Sequence, residues 1–116
     1  MRVAGFGFRS SARLASLQAA LTLAGGRVDA VATVASKAAG LQPLADALNL
    51  PLIAVTQAAL AAHDRPGSDT VRAHYHTGSV AESAALAAAG PGAILIIQRT
   101  ASPDGKAVAA IAEGPA

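Results

Sequence analysis

Short apolar runs alternate with alanine- and leucine-rich helical periods along this chain, and the links between them are brief. That rhythm predicts an α/β fold, a three-layer-like sandwich around a mostly parallel sheet. Arg2-Val3-Ala4-Gly5-Phe6 reads as a buried first strand. Leu14, Leu17 and Leu21 then recur at spacings of three and four within a helix from Ser11 to Ala24, stopped by Gly25-Gly26. Val28 to Val34 is the second strand, and Leu41 to Leu48 the second helix, ended by Asn49. A third strand, Leu52 to Val55, follows Pro51, and Gln57 to Ala62 make a short helix. The polar stretch His63 to Asp69 predicts a surface loop, Thr70 to Tyr75 a short strand, and Val80 to Ala89 a helix closed by Gly90-Pro91-Gly92. Ala93 to Gln98 and Ala107 to Ala112 are the last strands. The link through Ser102-Pro103-Asp104-Gly105 is too short for a crossover helix, so they pair antiparallel.

A chain of 116 residues is one domain with room for a single core. It is 53% hydrophobic but only 3% aromatic, so small aliphatic side chains carry the core and allow helices to pack closely on the sheet. Few aromatics, a net charge of +2 and scattered basic residues argue against nucleic acid as a partner. The absence of cysteine excludes a thiolate nucleophile, a disulfide framework and a cysteine-ligated zinc. No long apolar stretch points to a membrane, and the first residues run straight into a strand; the expected setting is the cytoplasm.

Candidate chemistry concentrates where strands give way to helices. In open α/β sheets ligands sit beyond the carboxyl ends of the strands, where helix N-termini present unpaired N–H groups. Gly5-Phe6-Gly7-Phe8-Arg9-Ser10-Ser11 is the first such turn. It is no dinucleotide fingerprint, because Ser10 stands where the third glycine belongs. Gly5 and Gly7 can serve a tight turn alone, and the serines can be helix caps, but Arg9 adds a directed cation for an anion. Ser36-Lys37 follows the second strand and reads either as a cap with a solvated lysine or as a second set of donors at the same edge. Thr77-Gly78-Ser79 is the third turn. Ser79 and Glu82 have the spacing of a capping box, the alternative to Glu82 as a general base, while Thr77 and Gly78 are surplus to that box. His74 and His76 sit two apart on the expected strand without a visible third ligand, so no metal site is assigned. No Ser-His-Asp triad can be assembled by spacing.

At these residues the chain resembles the CobE and CbiG C-terminal domain family of cobalamin-biosynthesis proteins. The likeness runs through Gly5-Phe6-Gly7-Phe8-Arg9, the strand Val31 to Val34 leading to Lys37, and Leu50-Pro51-Leu52. Its most specific piece is Thr77-Gly78-Ser79-Val80-Ala81-Glu82-Ser83-Ala84-Ala85, one residue shorter before the valine than the family pattern. The ordered set spans Val3 to Ala112. Ala38-Ala39-Gly40 stand where family members often place an acidic residue after the lysine.

The resemblance implies a role in cobalamin biosynthesis with a carboxylate-rich corrin-ring (precorrin) intermediate as partner, in an accessory or carrier capacity. It implies no cofactor, and other enzymes of that synthesis are further partners. Full-length CbiG, with additional domains, opens a lactone on the corrin precursor and releases acetaldehyde. Only its terminal module is matched, so hydrolysis of a cobalt-precorrin-5A-type substrate, with Glu82 as the catalytic candidate, is the alternative. A generic anion- or nucleotide-binding α/β module is the third reading. Gly5, Gly7, Arg9, Ser10, Ser36, Lys37, Thr77, Gly78 and Ser79 are the expected ligand-binding residues.

Overall fold

The computed structural model describes residues 1–62 and 76–114. Its strands are β1 (Arg2–Phe8), β2 (Ala30–Val34), β3 (Leu52–Val55), β4 (Ile94–Ala101) and β5 (Ala107–Glu113). The helices are α1 (Leu14–Ala24), α2 (Ala38–Leu48), α3 (Gln57–Ala62) and α4 (His76–Ala89), with a 3₁₀ turn at Ala35–Lys37. The sheet has five strands in the order β3-β2-β1-β5-β4. β1, β2 and β3 run parallel, whereas β5 is antiparallel to both β1 and β4. The expected α/β class, the parallel opening and the antiparallel C-terminal pair are all present. The expected loop at His63 to Asp69 and strand at Thr70 to Tyr75 lie outside the described residues, as does His74.

Strand alternation sends successive residues of β1 to opposite faces. Ala4, Phe6 and Phe8 join Leu17 and Leu21 of α1 and Leu41 and Leu44 of α2 on one face. Val3 faces the other way, with Ala30, Ala32, Val55 and Ala84 of α4. Helices on both faces make three layers. Phe6 is wholly buried, and such a side chain contributes roughly 2–3 kcal/mol. The opposite face is rich in alanine, and it brings α4 very close to the sheet. A Cβ on Gly5 would lie 2.5 Å from the Ala85 nitrogen and closer still to the Ala81 carbonyl oxygen. Gly5 is the residue that lets helix backbone rest on strand backbone.

Several element ends differ from expectation, each because of a tertiary contact. β1 continues to Phe8 since every residue from Arg2 to Phe8 is paired with β5, and Arg9 N–H donates to the Lys106 carbonyl at 2.9 Å. The chain therefore stays extended past Gly7, turns through Ala12 N–H to the Arg9 carbonyl at 2.9 Å, and starts α1 only at Leu14. Ser10 and Ser11 precede an extended Arg13 (φ −103°, ψ 168°) and are not the helix caps. β2 begins at Ala30 rather than Val28, because Asp29 N–H turns to the Arg2 carbonyl. α2 starts at Ala38, carried on from the 3₁₀ turn, and Asn49 closes it in the left-handed region at φ 55°. α4 starts at His76, so Ser79 lies within the first turn of the helix instead of before it.

Candidate anion-binding edge

Parallel pairing brings the carboxyl ends of β1, β2 and β3 to one edge of the sheet. The antiparallel register Phe8↔Ala107 places the β4–β5 hairpin at that edge too. The direction of α4 follows from its glycine contacts. Ala89, at its C-terminus, lies against Gly114 beyond the end of β5, and Ala81 and Ala85 lie against Gly5 in mid-strand. Its N-terminus thus reaches the edge where Phe8 ends. Two residues of strand and one turn of helix each span roughly 6 Å, so Gly7 sits level with the α4 turn that precedes Ala81. That turn contains Thr77, Gly78 and Ser79. The structure therefore brings the three expected turns to a single edge.

Lys37 is the best-defined group there. Its Nζ donates to the Phe8 carbonyl oxygen at 2.8 Å and stands 5.2 Å from the Phe8 ring centroid. This contact crosses from the exit of β2 to the exit of β1 and sets an ammonium beside the Arg9 backbone. Arg9, Ser10, Ser11 and Ser36 are exposed around it, and Lys37 is half-buried. Gly40 is small for the sake of Phe8, since a Cβ there would meet Cε2 of that ring at 2.8 Å. The first turns of α2 and α4 contain no acidic residue, so their positive ends are not neutralised from within.

The N-terminus of α1 differs. Asp104 of the hairpin accepts from Ser16 Oγ at 2.5 Å, in the first turn of α1, from Ser102 Oγ at 2.6 Å and from Lys106 N–H at 3.0 Å. These donors, the Ser102 hydroxyl foremost, lower its pKa to about 2. The sequence had marked Asp104 only as a turn residue. Its partner Ser16 lies 88 positions away, and no local spacing signals that pairing.

Glu82 also has a partner the sequence did not reveal. Its Oε2 accepts the Arg99 N–H at 3.2 Å. β4 and β5 change register between Ile97 and Thr100, three residues of β4 spanning two of β5. Arg99 lies within that bulge, where a backbone donor falls out of the ladder. Glu82 thus joins α4 to the bulged strand.

At the opposite edge of the sheet a cleft is lined by Arg2, Arg27, Val28, Asp29, Leu48 and Leu50. None of the expected residues is there, and Asp29 is occupied by the Arg2 N–H at 2.8 Å. No helix among the described residues is long and apolar enough to cross a membrane.

Comparison with known proteins places this geometry in context. The chain matches the family model for the cobalamin synthesis G C-terminus over residues 2–112. A comparison with curated proteins gave no significant match. Among solved structures, the cobalamin biosynthesis protein chiG from Agrobacterium tumefaciens is similar at 35% identity and a TM-score of 0.74, over 100% of both chains. CobE, a protein from the cobalamin (vitamin B12) biosynthetic pathway, is 29% identical with a TM-score of 0.71, over 97% of this chain and 89% of that one. A cobalamin biosynthesis protein G homolog from Sulfolobus solfataricus shares the fold at 17% identity and a TM-score of 0.76, with this chain spanning 37% of it. The chain belongs to the cobalamin synthesis G C-terminal family, that of the CbiG and CobE proteins of cobalamin biosynthesis.

Proposed function

We propose that this protein binds a carboxylate-rich corrin-ring intermediate at the edge formed by Gly7, Arg9, Ser10, Ser36, Lys37 and the Thr77-Gly78-Ser79 turn, in an accessory or carrier role. Corrin precursors carry acetate and propionate arms around an apolar ring, so their receptor needs several separated donors for oxygen. The observation that carries the reading is Lys37, held by the Phe8 carbonyl at 2.8 Å, one residue from exposed Arg9. Two cations at adjacent strand exits can each take a carboxylate, and a charge-assisted hydrogen bond contributes roughly 1.5–3 kcal/mol. The acid-free N-terminus of α4 supplies a third set of donors across Gly7. Gly5 contributes indirectly, by letting α4 approach β1 so that its first turn reaches this edge. Glu82, bonded to the Arg99 amide, supports the fold under the edge.

The test is a titration with cobyrinic acid, a corrin with free acetate and propionate arms, followed by its visible spectrum and by calorimetry. Arg9→Gln and Lys37→Met should each weaken binding about tenfold or more, the equivalent of roughly 1.4 kcal/mol. Arg9→Lys should recover only part of the loss, since an ammonium cannot form the bidentate fork. Unchanged affinity in both neutral variants would remove this edge as the binding site. A new chromophore accumulating with turnover of a precorrin substrate would favour the hydrolase reading instead.

A further inference from the structure

Asp104 has no part in the reading above, yet its surroundings link two elements of the edge. Its carboxylate accepts from Ser16 Oγ, Ser102 Oγ and Lys106 N–H at 2.5, 2.6 and 3.0 Å. Both serines are almost fully buried, at 5% and 4% exposure, so their hydroxyls have little water to turn to if the acceptor is lost. Ser102 Oγ also accepts the Ala107 N–H at 3.2 Å, which ties the loop to the start of β5.

From here two connections run to the turn that bears Arg9. Lys106 offers its carbonyl to Arg9 N–H at 2.9 Å, at the beginning of the turn. Ser16 Oγ receives Arg13 N–H over a long 3.4 Å, at its end. One carboxylate thus braces both ends of the Arg9–Arg13 turn. An ionised carboxylate suits three converging donors because it only accepts and has lone pairs for all of them.

We propose that Asp104 is a positioning residue, which through Ser16 and the Lys106 backbone holds the Arg9–Arg13 turn so that Arg9 is placed for a carboxylate-bearing ligand. The consequence for binding rests on the anion-binding reading, whereas the bracing of the turn does not.

The experiment uses Asp104→Ala and Asp104→Asn in the full chain, with two readouts. Amide hydrogen exchange by NMR should show Arg9 and Ala12 exchanging about tenfold faster in Asp104→Ala, less so in Asp104→Asn, with the β2 amides unchanged. Affinity for cobyrinic acid should fall about fivefold in the parent background but less than twofold when Arg9 is already Gln, because the effect passes through Arg9. A residue that only stabilises the hairpin would lower the melting temperature and leave both readouts at Arg9 alone. Unaltered exchange at Arg9 and Ala12, or equal affinity losses in the two backgrounds, overturns the proposal. Should Asp104→Ala not fold, Ser16→Ala removes one brace by itself and is judged by the same exchange criterion. If the parent does not bind cobyrinic acid, the anion-binding reading fails, and the exchange data alone decide whether Asp104 holds the turn.

Discussion

Replacing Gly5 by alanine places one methyl group where α4 meets the sheet. The added Cβ would stand 2.5 Å from the Ala85 nitrogen and 3.0 Å from its Cα, and nearer still to the Ala81 carbonyl oxygen. Ordinary contacts of this kind begin near 3.4 Å, so α4 must retreat by close to an ångström. All three atoms are backbone, and none can rotate out of the way. Overpacking costs typically 1–3 kcal/mol, and a clash with rigid backbone belongs at the upper end, about 3. Alanine also restricts the unfolded chain, which offsets roughly 0.4–1 kcal/mol. The net loss is about 2–3 kcal/mol, a fall in melting temperature on the order of 10 °C for a domain of this size. Thermal and urea unfolding followed by circular dichroism measure it. Gly40→Ala is the comparison, since its Cβ would meet the Phe8 ring at 2.8 Å, a side chain able to yield, and the loss should be nearer 1 kcal/mol. A Gly5→Ala midpoint within about 2 °C of the parent would refute the close approach of α4 to β1.

Glu82→Ala should cost about 1 kcal/mol, because the Arg99 amide in the β4 bulge loses its carboxylate acceptor; urea unfolding measures it, and a parent-like midpoint combined with lost activity on a corrin precursor would point to a catalytic role instead. Lys37→Met should cost up to about 1 kcal/mol of stability through the lost bond to the Phe8 carbonyl, separable by melting from its larger effect on affinity. Asp104 has its pKa lowered to about 2 in the folded protein, against 3.8 ordinarily. Its contribution to stability is therefore complete above about pH 5 and lost as the pH falls through 4 towards 2, and Asp104→Asn should flatten that part of the acid-unfolding curve. Affinity for cobyrinic acid should fall as salt is raised, less steeply than for a protein that tracks a phosphate backbone, as titration at two ionic strengths will show.

The alternation of strands and helices, the parallel opening and the antiparallel hairpin were legible from the sequence because they depend on near-neighbour periodicity and on glycine, proline and asparagine stops. Asn49 and Gly25 end their helices as these residue types predict, at φ 55° and φ 123°. The family was legible too, since its motifs keep their order along the chain. What local pattern cannot carry is the identity of a partner far away in sequence. β5, not β4, lies beside β1, and this pairing extends β1 to Phe8 and delays α1 to Leu14. Gly5 looked like a ligand-facing turn residue and proved to be a seat for α4, because its neighbours Ala81 and Ala85 approach only once the layers have packed. Glu82 and Ser79 have capping-box spacing, but α4 begins a turn earlier and leaves the Glu82 carboxylate to an amide 17 residues away. Lys37 reaches the Phe8 carbonyl across 29 residues, and Asp104 reaches Ser16 across 88. Sequence determined which residues can donate and accept; only the closed sheet, by setting distant strand ends side by side, decided which of them meet.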